Sequence, residues 1–226
     1  MVPPGIFITF EGSEGCGKTT QIERLARRLS ADGAPRDGAV LTLREPGGTP
    51  LGEEVRRLLK HTAPGWTVVP EAELLLFAAS RAQLVREVIA PALAAGRTVL
   101  CDRFLDSTTV YQGVARRLDP ATIATMNAFA AGTLRPHLTF LLDLPADAAL
   151  ARARQRERAE GHKPDRMEQE PPEFYEQVRA GYLRLAQEHS ERFVVVDALQ
   201  SIDEIERVVW EHFTARCHGL RPPGRP

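Results

Sequence analysis

The segment Ile6-Phe7-Ile8-Thr9-Phe10-Glu11-Gly12-Ser13-Glu14-Gly15-Cys16-Gly17-Lys18-Thr19-Thr20 decides the fold. Ile6–Phe10 is apolar or β-branched throughout and reads as a buried strand. Ile22, Leu25, Ala26 and Leu29 recur at helical spacing and predict a helix over Thr20–Leu29. Between them, Gly12 to Thr19 fits G-x-x-x-x-G-K-[ST] in the strand–loop–helix context that the pattern requires. Glycines let the backbone curl until several N–H groups meet one anion, and the helix N-terminus adds partial positive charge. Lys18 can then reach the β and γ phosphates of a nucleoside triphosphate, while the Thr19 hydroxyl can ligate Mg²⁺. Gly12, Ser13, Glu14, Gly15, Cys16, Gly17, Lys18, Thr19 and Thr20 are the candidate triphosphate-binding residues. Cys16 reads as a filler of a small variable position, not a redox switch. GTPases, helicases, transporters and small kinases share such a loop, but no Asn-Lys-x-Asp guanine signature occurs.

Working outward, short apolar runs alternate with helical periods to the end of the chain. Strands are predicted at Val40–Leu43, Thr98–Cys101, Leu138–Leu144 and Phe193–Val196. Helices are predicted at Leu51–Leu59, Glu71–Leu93 (bent or ended near Pro91), Ser107–Ala115, Pro120–Ala131, Asp147–Arg158, Pro172–Glu188 and Ile202 to about Arg216. Ala31–Gly38 is polar with Gly and Pro and reads as a loop; residues 217–226 read as a disordered tail. The rhythm predicts the α/β class, a parallel five-stranded sheet with helices on both faces. No repeat or second-domain boundary shows, so residues 1–216 are expected to form one domain. Ligands of such sheets lie beyond the carboxyl ends of the strands. Gly12–Thr19, Arg44–Thr49 and Asp102–Arg103 each follow a predicted strand directly.

Composition narrows the function classes. The 226 residues carry a formal net charge of −1, which argues against bulk binding of nucleic acid. No uninterrupted apolar run is long enough to span a membrane, and the N-terminus lacks a leader pattern, so a cytoplasmic protein is expected. Cys16, Cys101 and Cys217 are too few and scattered for a disulfide framework or a zinc site. Basic residues are mostly Arg; Lys18, Lys60 and Lys163 are the only lysines, so a Lys inside the loop is informative.

The other strand ends admit two readings each. Arg44-Glu45-Pro46-Gly47-Gly48-Thr49 can grip a second anion through its Arg and Gly-Gly pair, or be a plain turn. Asp102 can hold Mg²⁺, directly or through water, with Arg103 bridging donor and acceptor phosphates; the alternative is a helix-capping Asp beside a surface Arg. The strand-end position favours the functional reading. Phe77 and Arg81, four apart, share a helix face and can stack on and hydrogen-bond a flat base; a Phe in an apolar helix is also ordinary core.

Together these segments resemble the thymidylate kinase family, from about Ile6 to Val209. The resemblance rests on Phe10 through Thr20, Arg44-Glu45-Pro46-Gly47-Gly48-Thr49, Leu76-Phe77-Ala78-Ala79-Ser80-Arg81, Asp102-Arg103-Phe104, Tyr111-Gln112-Gly113 and Asp165-Arg166-Met167-Glu168. It implies the nucleoside monophosphate kinase form of the P-loop fold, with a mobile lid at about residues 152–169. It implies transfer of the γ-phosphoryl group of ATP to dTMP with Mg²⁺, and a homodimer. By the resemblance, Arg44, Arg56 and Arg103 hold the acceptor phosphate, in a dTMP site that also includes Glu45 and Pro46. Phe77 stacks on thymine, Arg81, Thr108 and Gln112 read its polar edge, and Tyr111 presses on the deoxyribose. Glu14 faces the acceptor sugar or the magnesium shell, and Thr19 and Asp102 serve the metal. Phe104 stands where many relatives have Tyr or His and is given no hydrogen-bonding role.

Arg152, Arg154, Arg156 and Arg158 alternate by two, which spreads them around a helix, so they cannot all face one ligand. A solvated helix accounts for at least two of them. The resemblance implies that lid arginines act when the phosphate loop carries no basic residue at the place of Glu14. Arg156 and Arg166 are then expected at the transferred phosphate, beside Lys18 and Arg103, with Arg152 nearer the adenine. Rival readings are a kinase of the same architecture for a deoxynucleoside or another monophosphate, an ATP-driven switch or nucleic-acid motor, and a non-catalytic nucleotide-binding module.

Overall fold

Five short runs of apolar and β-branched residues pair as a fully parallel sheet, ordered β2-β3-β1-β4-β5. They are β1 (Phe7–Glu11), β2 (Val40–Arg44), β3 (Thr98–Asp102), β4 (Leu138–Asp143) and β5 (Phe193–Asp197). The computed structural model describes residues 5–31, 40–60, 66–160, 166–167 and 169–217, with side chains at all of these except 153–154 and 156–160. Every residue of the central strand β1 is buried, as a strand covered on both faces must be. Edge strands β2 and β5 retain exposed positions.

Four strands run one residue past their apolar runs. Glu11, Arg44, Asp102 and Asp197 stay in the ladder, as the registers Glu11↔Leu141, Arg44↔Asp102 and Asp143↔Asp197 show. Polar residues are thereby fixed at the carboxyl edge of the sheet, where ligands of such sheets bind.

Helix α1 (Lys18–Ala31) begins inside the glycine-rich loop, two residues before its predicted start. Together with α9 (Ile202–Cys217) it covers one face, through Ile22, Leu25, Leu29, Val209 and Phe213 against Phe10 and Phe140. On the other face α3 (Pro70–Leu84) leads into a π-helical turn (Val85–Ile89) and α4 (Ala90–Ala94), with Leu84, Val85 and Ile89 against Phe7, Val99 and Phe104. The break expected near Pro91 is thus a widening of the helix ahead of it. Pro91 has no N–H to give, and the wide turn absorbs the missing bond.

A second π-helical turn (Thr109–Ala115) extends α5 (Leu105–Thr108), where one regular helix is predicted. Helix α2 (Pro50–Lys60) follows β2, and α6 (Pro120–Ala131) starts at Asp119, whose carboxylate accepts from Thr122 N at 2.8 Å. Helices α7 (Ala146–Glu160) and α8 (Pro172–Glu188) flank β4 and β5 in sequence. Phe174, Val178 and Tyr182 of α8 pack on Val110 and Tyr111 of the second π turn. Helix α9 ends at buried Cys217, so the tail reading applies from 218, outside the described residues. The loop read at Ala31–Gly38 falls outside them from residue 32.

Candidate active site

Gly12 opens the phosphate loop at φ 134°, where a Cβ would stand 2.6 Å from the Leu142 carbonyl oxygen and 2.9 Å from Cys16 Sγ. Only glycine passes there. Lys18 is buried, and its Nζ donates to the carbonyls of Ser13 at 2.9 Å and Gly12 at 3.3 Å. Thr19 Oγ1 donates to Asp102 Oδ2 at 2.9 Å, tying the loop after β1 to the end of β3. Among the described residues no cluster of three or more His, Cys, Asp or Glu could hold a metal. The Thr19 hydroxyl and Asp102 carboxylate still set two hard oxygens side by side. That pair suits Mg²⁺, which takes few protein ligands and completes its shell with phosphate and water.

Arg103 follows β3 in the left-handed region, at φ 68°, with its N–H on the Phe10 carbonyl at 2.9 Å. A non-glycine residue there stores strain on the order of 1 kcal/mol, and such strain gathers at functional sites. Its guanidinium meets Glu14 Oε1 at 2.7 Å, Ser107 Oγ at 3.2 Å and Tyr182 Oη at 3.3 Å, and lies 4.9 Å from the Tyr111 ring centre. Burial works against its charge, but the Glu14 carboxylate and the two tyrosines hold its pKa above the ordinary arginine value.

Behind Arg103 lies Glu11, fully buried, which accepts from Phe104 N at 2.8 Å, Ser107 Oγ at 2.6 Å and Tyr182 Oη at 2.8 Å. Burial, and then the charge of Asp106, push its carboxyl up to about 7. Asp106 is itself paired to both Nη atoms of Arg192 at 2.7 Å. Sequence reading missed Glu11, Ser107 and Tyr182. Glu11 had one signal, a charged residue closing an apolar strand; Tyr182 had none.

One wall of the crevice is built from β2 and α2. Arg44 Nη2 meets Glu53 Oε2 at 2.9 Å, and Glu53 Oε1 accepts from Gly48 N at 2.9 Å. Gly47 sits at φ 138°, where a Cβ would lie 2.7 Å from Glu53 Oε1. Arg56 donates to the Pro46 carbonyl at 3.0 Å. Burial, and then the neighbouring Arg44 charge, lower its pKa from the arginine value. Two guanidiniums on one wall make a seat for an anion. Glu53, which sets this geometry, was also missed.

Phe77, Tyr111 and Gln112 line the same crevice. Tyr111 and Gln112 are adjacent in sequence, lie within the second π turn and both line the crevice. Arg81 and Thr108 are brought together behind that wall and not onto the crevice lining. Arg81 is 1% exposed; Nε donates to Glu45 Oε2 at 2.8 Å, Nη1 to Asn127 Oδ1 at 2.9 Å, and Nη2 to the Phe104 carbonyl at 3.2 Å and Thr108 Oγ1 at 2.9 Å. Phe104 is core, edge-on to Phe7.

Arg152 lines the crevice, but Arg166 does not. Its guanidinium lies 2.5 Å from Glu73 Oε2 and donates to the Leu59 carbonyl at 3.1 Å, because the buried Glu73 carboxylate draws it there. The expectations for the side chains of Arg154, Arg156 and Arg158 fall outside the described side chains.

The crevice measures about 1090 Å³, the upper end for a single small-ligand pocket. Lys18 and Thr19 line one part of it, Arg44 and Arg56 another, and Arg103 also opens onto it. This fold and site define a P-loop protein built to hold two phosphorylated ligands at once. The sequence profile of the thymidylate kinase family matches residues 10–209. The thymidylate kinase of Geotalea uraniireducens (strain Rf4) is 48% identical over 213 residues, which cover 94% of this chain and 98% of the relative. That of Deinococcus radiodurans is 47% identical over 214 residues, covering 95% and 98%. A crystal structure of thymidylate kinase from Ehrlichia chaffeensis superposes with a TM-score of 0.73 at 34% identity, covering 94% of this chain and 99% of that one. The chain belongs to the thymidylate kinase family.

Proposed function

We propose that the protein transfers the γ-phosphoryl group of ATP to dTMP, giving ADP and dTDP. One observation carries this reading beyond family membership: the phosphate loop and the Arg44–Arg56 wall line one crevice, and Arg103 opens onto it too. ATP lies on the loop, with Lys18 turned from the loop carbonyls onto its β and γ phosphates. dTMP sets its phosphate on Arg44, Arg56 and Arg103. One of its phosphate oxygens attacks the γ-phosphorus in line, and ADP leaves. No general base is required, because the acceptor phosphate is already ionised at neutral pH. What the chain supplies is position and positive charge. Thr19 and Asp102 would hold Mg²⁺, which neutralises charge on the phosphates.

Phe77 stacks on the base, Gln112 meets its edge, and Tyr111 packs on the sugar. Among the described residues Arg81 commits four N–H donors to Glu45, Asn127, Phe104 and Thr108 behind the crevice wall, so Arg81 and Thr108 serve the base edge by ordering that wall. Arg152 serves the adenine side, residues 152–169 act as the lid of a single domain over 1–216, and Arg156 supplies lid charge. The protein acts as a homodimer in the cytoplasm and needs no nucleic acid; among the described residues no helix is long and apolar enough to cross a membrane.

The test is an acceptor panel: ATP and Mg²⁺ with each nucleoside monophosphate, following ADP. Strong preference for dTMP, with dUMP poorer and ribonucleotides poor, is the expected outcome. Preference for another monophosphate would keep the kinase and discard the base-pocket roles.

A further inference from the structure

Gln112 meets the edge of the base, and an amide presents either a donor or an acceptor depending on which way it is turned. Its side chain is 1% exposed, and Nε2 donates to Glu73 Oε1 at 2.6 Å. Glu73, on α3, is fully buried. Arg116 contacts both of its oxygens at 3.4 Å, and Arg166 Nη2 lies 2.5 Å from Oε2. With guanidiniums on both oxygens the group is a carboxylate, which only accepts. Turning the Gln112 amide over would set its carbonyl oxygen against that carboxylate in a buried setting, where such a contact is costly. Among the described residues nothing donates to Gln112 Oε1.

We propose that Glu73 is a specificity-determining positioning residue: it locks the Gln112 amide so that the carbonyl oxygen, not the NH₂, faces the base. This rests on the reading of the site as a dTMP site. An acceptor there takes the N3–H of thymine or uracil. It rejects cytosine, whose N3 carries a lone pair and no proton. Glu73 thereby selects an imide edge without touching the nucleotide.

Glu73→Gln tests this, because a neutral amide can face Gln112 with either end and still accept from Arg116 or Arg166. We expect kcat/KM for dTMP to fall about tenfold, chiefly through KM, with the KM for ATP unchanged. The dTMP:dCMP ratio of kcat/KM should also fall about tenfold or more. In a Gln112→Ala background, Glu73→Gln should leave that ratio unchanged, which a merely structural role would not produce. A folded Glu73→Gln enzyme with the wild-type ratio, or additive effects in the double variant, overturns the proposal. If the wild type itself ignores dTMP, the functional reading fails first, and the two failures are distinct. Should Glu73→Gln not fold, a crystal of the wild type with dTMP decides. The Gln112 amide kept on Glu73, with its other end at hydrogen-bond distance from thymine N3, supports the proposal; an amide turned away from Glu73 overturns it.

Discussion

Arg81 was legible as a functional candidate from its spacing to Phe77, yet its buried partners were not. Glu45, Asn127 and Thr108 come from separate elements, and only the folded chain brings them to one guanidinium. Removing one member of a buried pair strands the other charge. Arg81→Ala should therefore lower unfolding free energy by about 3–5 kcal/mol, read by urea titration, besides harming dTMP binding. Lys18→Ala and Arg103→Ala act differently. Each should cut kcat by a factor of about a hundred or more while the protein remains folded by circular dichroism. Near-wild-type turnover in either folded variant would sink the phosphate roles.

Glu11 yields a pH prediction. Its folded value of about 7 lies above the ordinary 4.5, so the fold favours the protonated group. That contribution is fully present below pH 4.5 and is lost as pH rises to about 7. The loss is on the order of 3 kcal/mol. Glu11→Gln lacks this titration. Between pH 4.5 and 8, urea unfolding should show the variant gaining on the wild type by that order; a constant difference would contradict the assignment.

At the scale of elements, strands were legible because a parallel sheet buries both faces and leaves apolar runs. Their ends were not, because Glu11, Arg44, Asp102 and Asp197 are polar yet paired. The two π turns also escaped, since a one-residue widening leaves little trace in the apolar period. The second of them carries Tyr111 and Gln112, both on the crevice lining, so a detail of the crevice was hidden in a helix that read as regular. The Arg44–Thr49 loop read equally well as turn and as anion grip, and Glu53, which holds both Arg44 and Gly48 N, could not be seen from the sequence. Gly47→Ala brings a Cβ against Glu53 at a φ that L residues avoid. It should raise the KM for dTMP by about tenfold while leaving that for ATP nearly unchanged, as measured by steady-state kinetics.

For the whole molecule, the class of fold and the strand–loop–helix at Gly12–Thr19 were legible in the chain's order of strands and loops. The quaternary state was not, because a dimer face and a core face follow the same helical period. Leu75 on α3 and Phe129 on α6 are 59% and 75% exposed, and the two helices pack together. If this surface is the interface of the proposed homodimer, sedimentation should give twice the 25.0 kDa chain mass, and Phe129→Glu should give the monomer.

The central claim is phosphoryl transfer between two bound nucleotides, and γ-³²P-ATP tests it most directly. With dTMP and Mg²⁺ present, the account predicts that the label appears in dTDP in step with ADP, with little free phosphate. Label released as phosphate at the same rate with and without dTMP would mean that the crevice hydrolyses ATP without a second substrate, and would contradict the account.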